Sequence, residues 1–306
     1  MYICKKNVVL FIMKKLIFTF YIALFSIILN AQNISNLGLE GIMNARDFGG
    51  YQIGEKKIKT GVLYRSGNLS SATEHDLSIL QDSLHIRRVY DFRTLEEQEK
   101  YPNRLQDNVL YAILPSLEDA IKRFEIPEDR QTTSEDLYIN RADYYIDSIS
   151  TKKVKKLAHS FYPLIIRSRV FQEQIGLELI DSLVSLPDED EAIIIHCTNG
   201  TNRAGWAVTF LLAALGADRE TLIEEFLKSN VSYNRYIEYA ENKAKELEYS
   251  EEQIEDIKAL VGVSKRNLEE ALDMIDKRYG SMDKYLESAL YLTEEKRNNL
   301  KKRFLE

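Results

Sequence analysis

Along the chain, short runs of β-branched and aromatic residues alternate with longer stretches whose apolar positions recur at helical spacing. The β-rich runs are Gly61-Val62-Leu63-Tyr64-Arg65, Arg88-Val89-Tyr90-Asp91-Phe92, Leu110-Tyr111-Ala112-Ile113-Leu114 and Ala192-Ile193-Ile194-Ile195-His196. Strands separated by helix-length segments predict an α/β layer structure with a mostly parallel sheet flanked by helices. The unbroken apolar run before His196 predicts a strand buried on both faces. The turn Pro187-Asp188-Glu189-Asp190-Glu191 closes a helix from about 171 to 186 and launches that strand. From Ala217 to Glu306 the pattern is helical and highly charged, with breaks near Gly262 and Gly280, and the chain shows no internal repeat. The stretch of about 116–170, rich in Glu, Asp, Tyr and Lys, is too long for a plain connection and predicts a helical lid or insertion. Its cluster Lys152-Lys153-Val154-Lys155-Lys156 reads as a solvated helix face, with contact to an anionic lipid or phosphoinositide surface as the unsupported alternative.

The first thirty-one residues stand apart from this alternation. From Met13, two lysines precede the apolar run Leu16–Leu29, and the small residue Ala31 stands before polar Gln32-Asn33. That is the layout of a secretory signal read from a start at Met13, and it predicts an exported chain of residues 32–306, periplasmic or secreted. The competing reading, an uncleaved anchor from Val8 to Leu29, places Lys14 and Lys15 in mid-membrane, where charge is costly.

Composition then narrows the function. The 306 residues include 41 Lys+Arg and 48 Asp+Glu, a formal charge of −7, with 13 Gly, 5 Pro and 2 Cys. Residues 1–31 hold four lysines and no acid, so the rest carries 37 basic against 48 acidic residues. This excludes a disulfide scaffold and a low-complexity chain, and no basic field is present for nucleic acid. Export would remove Cys4 and leave Cys197 as the single thiol, which is then either an inert core residue or a nucleophile.

Cys197 sits where strand gives way to helix, in His196-Cys197-Thr198-Asn199-Gly200-Thr201-Asn202-Arg203-Ala204-Gly205, ahead of the apolar helix Trp206–Leu215. A loop that opens a helix turns its N–H groups inward and forms an anion cradle at the positive end of the helix dipole. The same field favours the nucleophilic thiolate. Arg203 can hold two phosphate oxygens in its planar fork. A buried structural cysteine beside an unrelated arginine is the bland alternative. His75, His85 and His159 stand alone, so neither metal nor other cofactor is expected.

With these residues the chain resembles the bacterial tyrosine-phosphatase family, related to protein tyrosine and dual-specificity phosphatases, some members of which act on phosphoinositides. The resemblance runs from about Leu37 to the C-terminus. Besides the cysteine loop it rests on Asn44-Ala45-Arg46-Asp47-Phe48-Gly49-Gly50-Tyr51, Leu63-Tyr64-Arg65-Ser66, Asp91-Phe92-Arg93-Thr94 with Glu97, Glu225-Phe226-Leu227-Lys228-Ser229-Asn230 and Tyr279-Gly280-Ser281. It implies a phosphatase-type sheet with a helical lid. It also implies a phosphoric monoester hydrolase in which Cys197 takes the phosphoryl group. The amides of Thr198, Asn199, Gly200, Thr201 and Asn202 would hold the equatorial oxygens together with Arg203, and His196 would orient the cysteine. The substrate would be a phosphorylated protein or small phosphoester, most naturally phosphotyrosine or another aryl phosphate.

The loop departs from the family pattern at three positions: Thr201 and Asn202 replace Lys-Asp, and Ala204 replaces a hydroxyl residue. The missing aspartate is the family's proposed general acid, a loss worth about 10²–10⁴ in rate. Asp91, at a strand end, is the first candidate to replace it and Asp47 the second. Each could instead pair with Arg46, Arg65 or Arg93. A catalytically impaired phosphatase that binds a phosphorylated ligand is the alternative function, and sulfur transfer through the same cysteine a remoter one. Tyr138, Tyr144 and Tyr145 could line a pocket for an aromatic substrate or pack in the core.

Overall fold

In the computed structural model, the described residues are 37–118, 136–186 and 191–306. The expected signal segment 1–31, part of the insertion and most of the turn at 187–191 lie outside them. A five-stranded sheet has the order β1-β4-β7-β5-β6, formed by Arg46–Asp47 (β1), Leu63–Ser66 (β4), Ala192–His196 (β7), Ile86–Asp91 (β5) and Leu110–Ile113 (β6). All neighbours are parallel except β1, which runs antiparallel to β4. A small ribbon of Gln52–Ile53 (β2) and Lys56–Lys57 (β3) stands apart, and its end bonds to the C-terminus through Lys57 and Glu306. Neither β1 nor the ribbon carries a readable signal, because two residues are too few to show a period.

Strand β7 is buried along its whole length, and the period of two explains how. Ile193 and Ile195 enter the main core, whereas Ala192 and Ile194 pack on the opposite face with Ile42, Leu69, Leu80 and Val89. The cysteine loop follows β7 at once and opens helix Arg203–Leu215 (α7). That helix is apolar all round and buried throughout, so it passes through the core instead of lying on its surface. Its Trp206 is fully buried with ring centroids 5.6 Å from Tyr162, 5.5 Å from Phe210 and 5.6 Å from Phe226.

Among the described residues the chain before α7 adds Glu74–Ser78 (α1), Leu95–Lys100 (α2), Asp136–Ser148 (α3) and Lys152–Arg167 (α4). Arg169–Glu173 (α5), a π-helical stretch Gln174–Leu179 and Ile180–Ser185 (α6) form the helical segment before β7. After α7 come Arg219–Leu227 (α8), Ser229–Glu246 (α9), Glu251–Val261 (α10), Lys265–Tyr279 (α11), Met282–Ser288 (α12) and Glu294–Phe304 (α13). Helices α3 and α4 fall in the predicted insertion and share a separate apolar cluster with α9 and α10. It contains Ala142, Tyr145, Ile146, Val154, Leu157, Ala240, Ala244, Ile254 and Ile257. The four lysines of α4 lie on its exposed face.

One buried carboxylate joins the sheet to the helices behind it. Glu225 of α8 accepts from Arg46 Nε at 2.9 Å and Arg65 Nη1 at 3.2 Å through Oε1, and from the Tyr51 hydroxyl at 3.1 Å through Oε2. Both arginines are buried, so the carboxylate is what makes two guanidiniums tolerable in the core. The Glu225→Ala variant is expected to lose about 3–5 kcal/mol of unfolding free energy. Urea unfolding checks this, and a loss under about 1 kcal/mol would show that the arginines find other partners.

Candidate functional site

The parallel register brings the C-terminal ends of β4, β5 and β7 together, pairing Ser66 and Asp91 with His196. The loop 197–203 rises from this edge, where ligands bind in open α/β sheets. Cys197 lies at its floor, 2% exposed. The loop's carbonyls are turned outward onto donors from three other segments. Asn68 donates to Thr198 O from its backbone at 3.0 Å and its side chain at 3.2 Å. Asn44 Nδ2 and the Tyr233 hydroxyl reach Asn199 O at 3.1 and 2.8 Å. Arg65 Nη2 bonds Gly200 O at 2.5 Å and Thr201 O at 3.2 Å. With the carbonyls held this way, the amides of residues 198–203 make no bond to the described residues and face the inside of the cradle.

Gly200 is demanded by this geometry. Its φ is +67°, and a Cβ there would lie 2.4 Å from Ser66 O, so both the turn and the close approach exclude a side chain. Asn202 caps α7 without a side-chain hydrogen bond, which leaves its carboxamide for a ligand. Thr201 is buried, and Ala204 in the first turn brings no hydroxyl to the cysteine.

Arg203 closes the cradle and is gripped from behind. Glu97 accepts from Nη1 at 2.6 Å and from Nη2 at 2.8 Å, while Phe92 O takes Nη1 at 2.9 Å and Thr198 Oγ1 takes Nη2 at 3.0 Å. The Thr198 hydroxyl in turn donates to Glu97. Burial opposes both charges, but their pairing prevails: the Arg203 pKa is raised above its ordinary value and that of Glu97 is lowered to about 2. Glu97 also completes a capping box with Thr94 at the start of α2, which fixes the carboxylate under the arginine. Sequence reading included Glu97 in a motif without giving it a task. Its Thr-x-x-Glu spacing was the available signal.

Asp91 reaches the site's edge but not its chemistry. Its carboxylate accepts from Arg93 Nε at 3.0 Å and Nη2 at 2.8 Å, from Asn103 at 3.1 Å and from Tyr111 at 2.6 Å, with His196 Nε2 at 3.4 Å. Burial raises its pKa, but His196 and Arg93 outweigh that and lower it to about 2. Of the two readings of Asp91, general acid or partner of a nearby arginine, the structure contains the pairing with Arg93. Asp47 lies elsewhere. It accepts from the amides of Gly49 at 2.7 Å and Gly61 at 2.6 Å, at the opposite end of β4 from the cysteine loop. His196 is fully buried and bonds Asn103 at 3.0 Å. Burial lowers its pKa to about 4, so it stands neutral behind the cysteine at pH 7.

Aromatic rings back one side of the loop. Tyr138 of α3 lies 5.4 Å from Tyr233 and 4.9 Å from Tyr236 of α9, centroid to centroid. Burial raises the pKa values of Tyr138 and Tyr233, and the Tyr233 hydroxyl reaches the loop at Asn199 O. Tyr145 instead lies in the separate core with Tyr144 packed against it.

Asp91 and Glu97 each release their protons at lower pH when folded, and His196 takes one up later. Their stabilisation is therefore complete above their unfolded pKa values and is lost on acidification. The His196 part fades between about pH 6.5 and 4, the carboxylate parts from about pH 4.5 towards 2. Urea midpoints should fall with pH across this window, less steeply below pH 5 for Glu97→Gln than for the wild type. Parallel curves below pH 5 would refute the Glu97–Arg203 assignment.

Residues 37–306 match the profile of the tyrosine phosphatase family. A Cupriavidus necator protein, provisionally named as a tyrosine-protein phosphatase, is 26% identical over 263 residues, 85% of this chain and 86% of that protein. The triple specificity protein phosphatase PtpB of Mycobacterium tuberculosis is 26% identical over 243 residues, 76% of this chain and 87% of its own.

Proposed function

Since the chain belongs to the tyrosine phosphatase family and is a phosphoric monoester hydrolase, we propose that it is an aryl phosphatase working through a cysteinyl-phosphate on Cys197. The observation that carries this reading is the pairing of the carboxylates around the loop. Asp91 and Glu97 are bound to arginines, and Asp47 is at the far end of β4. Neither Asp91 nor Glu97 is free to serve the leaving oxygen.

In the first step the Cys197 sulfur attacks phosphorus, the P–O ester bond breaks, and the leaving oxygen carries away the electron pair. Arg203 and the amides of 198–203 hold the equatorial oxygens as charge builds on them. In the second step water breaks the S–P bond, releasing phosphate and restoring the thiolate. A phenol, with pKa about 10, departs without the protonation that an alkyl alcohol requires. Tyr138, Tyr233 and Tyr236 supply an aromatic wall for such a group.

Turnover of para-nitrophenyl phosphate should fall to background in Cys197→Ser. The wild type should favour aryl over alkyl phosphates by at least about 10² in kcat/KM, and Asn202→Asp should narrow that ratio by restoring a carboxyl at the loop's helix cap. Equal rates on alkyl and aryl esters would defeat the aryl reading. Tight vanadate binding with no turnover by the wild type would instead favour the impaired, ligand-binding alternative.

We also place the substrate outside the cytoplasm, on the strength of the segment 1–31. Expressed with that segment, the mature protein is expected to begin at Gln32 when its N-terminus is mapped by mass spectrometry. An intact Met13 terminus on the isolated protein would oppose export with cleavage.

A further inference from the structure

The arginines that support the cradle each carry a carboxylate. Arg46 and Arg65 share Glu225, Arg93 holds Asp91, and Arg203 holds Glu97. Arg141 of α3 is the exception. Its Nε donates to the Tyr145 hydroxyl at 3.1 Å, and its guanidinium carbon lies 5.7 Å from the centre of that ring. Among the described residues no carboxylate pairs with it, and its two terminal nitrogens donate to none of them. A half-buried guanidinium with a free planar fork matches the paired oxygens of a phosphate or carboxylate.

Its position sets it beside the tyrosines that back the loop. Arg141 lies one turn after Tyr138, on the same face of α3. Tyr138 packs on Tyr233, whose hydroxyl bonds Asn199 O of the loop. Burial raises the pKa of both tyrosine hydroxyls most, while Arg141 lowers and Cys197 raises both. The tyrosine pair therefore links the helix that carries the guanidinium to the back of the cysteine loop. The helix that carries it is anchored, with Asp143 bonded to Lys243 at 2.8 Å and to the Tyr239 hydroxyl at 2.8 Å.

We propose that Arg141, framed by Tyr138 and Tyr233, is a second anion subsite that binds a phosphate or carboxylate on the same aryl ester whose scissile phosphate sits in the cysteine loop. This rests on the aryl phosphatase reading and deepens it: the preferred substrates are doubly anionic. Arg203 and the loop amides take the phosphate to be cleaved, and Arg141 reads the other group with the ester's ring against Tyr138.

Calorimetry on full-length Cys197→Ser, which binds without turning over, tests the subsite with phenyl phosphate, 1,3-phenylene bisphosphate and 3-carboxyphenyl phosphate. At least one doubly anionic ester should bind about tenfold or more tighter than phenyl phosphate, and comparing the two shows whether phosphate or carboxylate is read. Adding Arg141→Met should reduce that ratio to within about threefold, while Arg141→Lys, which keeps the charge, should retain part of it. Equal affinity for all three esters, or a ratio that survives Arg141→Met, would overturn the proposal. Wild-type kcat/KM on the same esters separates the two readings. No turnover together with an Arg141-dependent affinity ratio would sink the phosphatase reading and leave the subsite standing. Turnover of phenyl phosphate without any such ratio would sink the subsite alone.

Discussion

A phosphate cradle made of backbone amides works only if the carbonyls of the same peptides are held elsewhere, and here that task falls chiefly to Arg65. Its side chain bonds Gly200 O and Thr201 O from the neighbouring strand β4. A guanidinium can do this in the core only when its charge is met, and Glu225 meets it together with that of Arg46. Burial and the adjacent Arg46 still depress the Arg65 pKa to about 10, so it remains protonated at neutral pH. The order of the sheet follows from the same need, since β4 must lie beside β7 for Arg65 to reach under the loop.

Charge pairing also decides what the carboxylates are able to do. Glu97 and Asp91 lie near the strand end where a general acid would be useful, yet each is bound to an arginine and, against burial, has its pKa lowered to about 2, by Arg203 at Glu97 and by His196 and Arg93 at Asp91. Their bonds position Arg203 and Arg93. A network built to fix Arg203 and His196 in place has thereby used up the carboxylates nearest the loop. The burden of leaving-group departure then falls on the ester itself, which ties substrate class to electrostatics.

The pocket wall has a similarly distributed origin. Tyr138 comes from the insertion and Tyr233 and Tyr236 from α9, nearly a hundred residues later. They meet because α3 and α4 bury their apolar stripes against α9 and α10 in a core of their own. The described insertion is therefore packed on α9 and α10, and its lysines on α4 are exposed.

What the sequence by itself determined is everything local. The apolar run 192–195 announced a doubly buried strand, and the glycine of Cys197–Arg203 a tight anion loop before a helix, because pleat, helix repeat and turn chemistry are written over a few neighbouring residues. The alternation of such segments was enough for a mostly parallel α/β sheet. Strands of two residues escaped it, being shorter than any period. The tertiary structure alone decided partners. Whether Asp91 would be an acid or an anchor depended on Arg93, Asn103, Tyr111 and His196 converging on it, and the fate of Asp47 on the end of the sheet where it fell. Arg65 and Glu225 are 160 residues apart. A charge carries no mark of which distant charge will neutralise it, because that choice is made by packing and desolvation when the layers close.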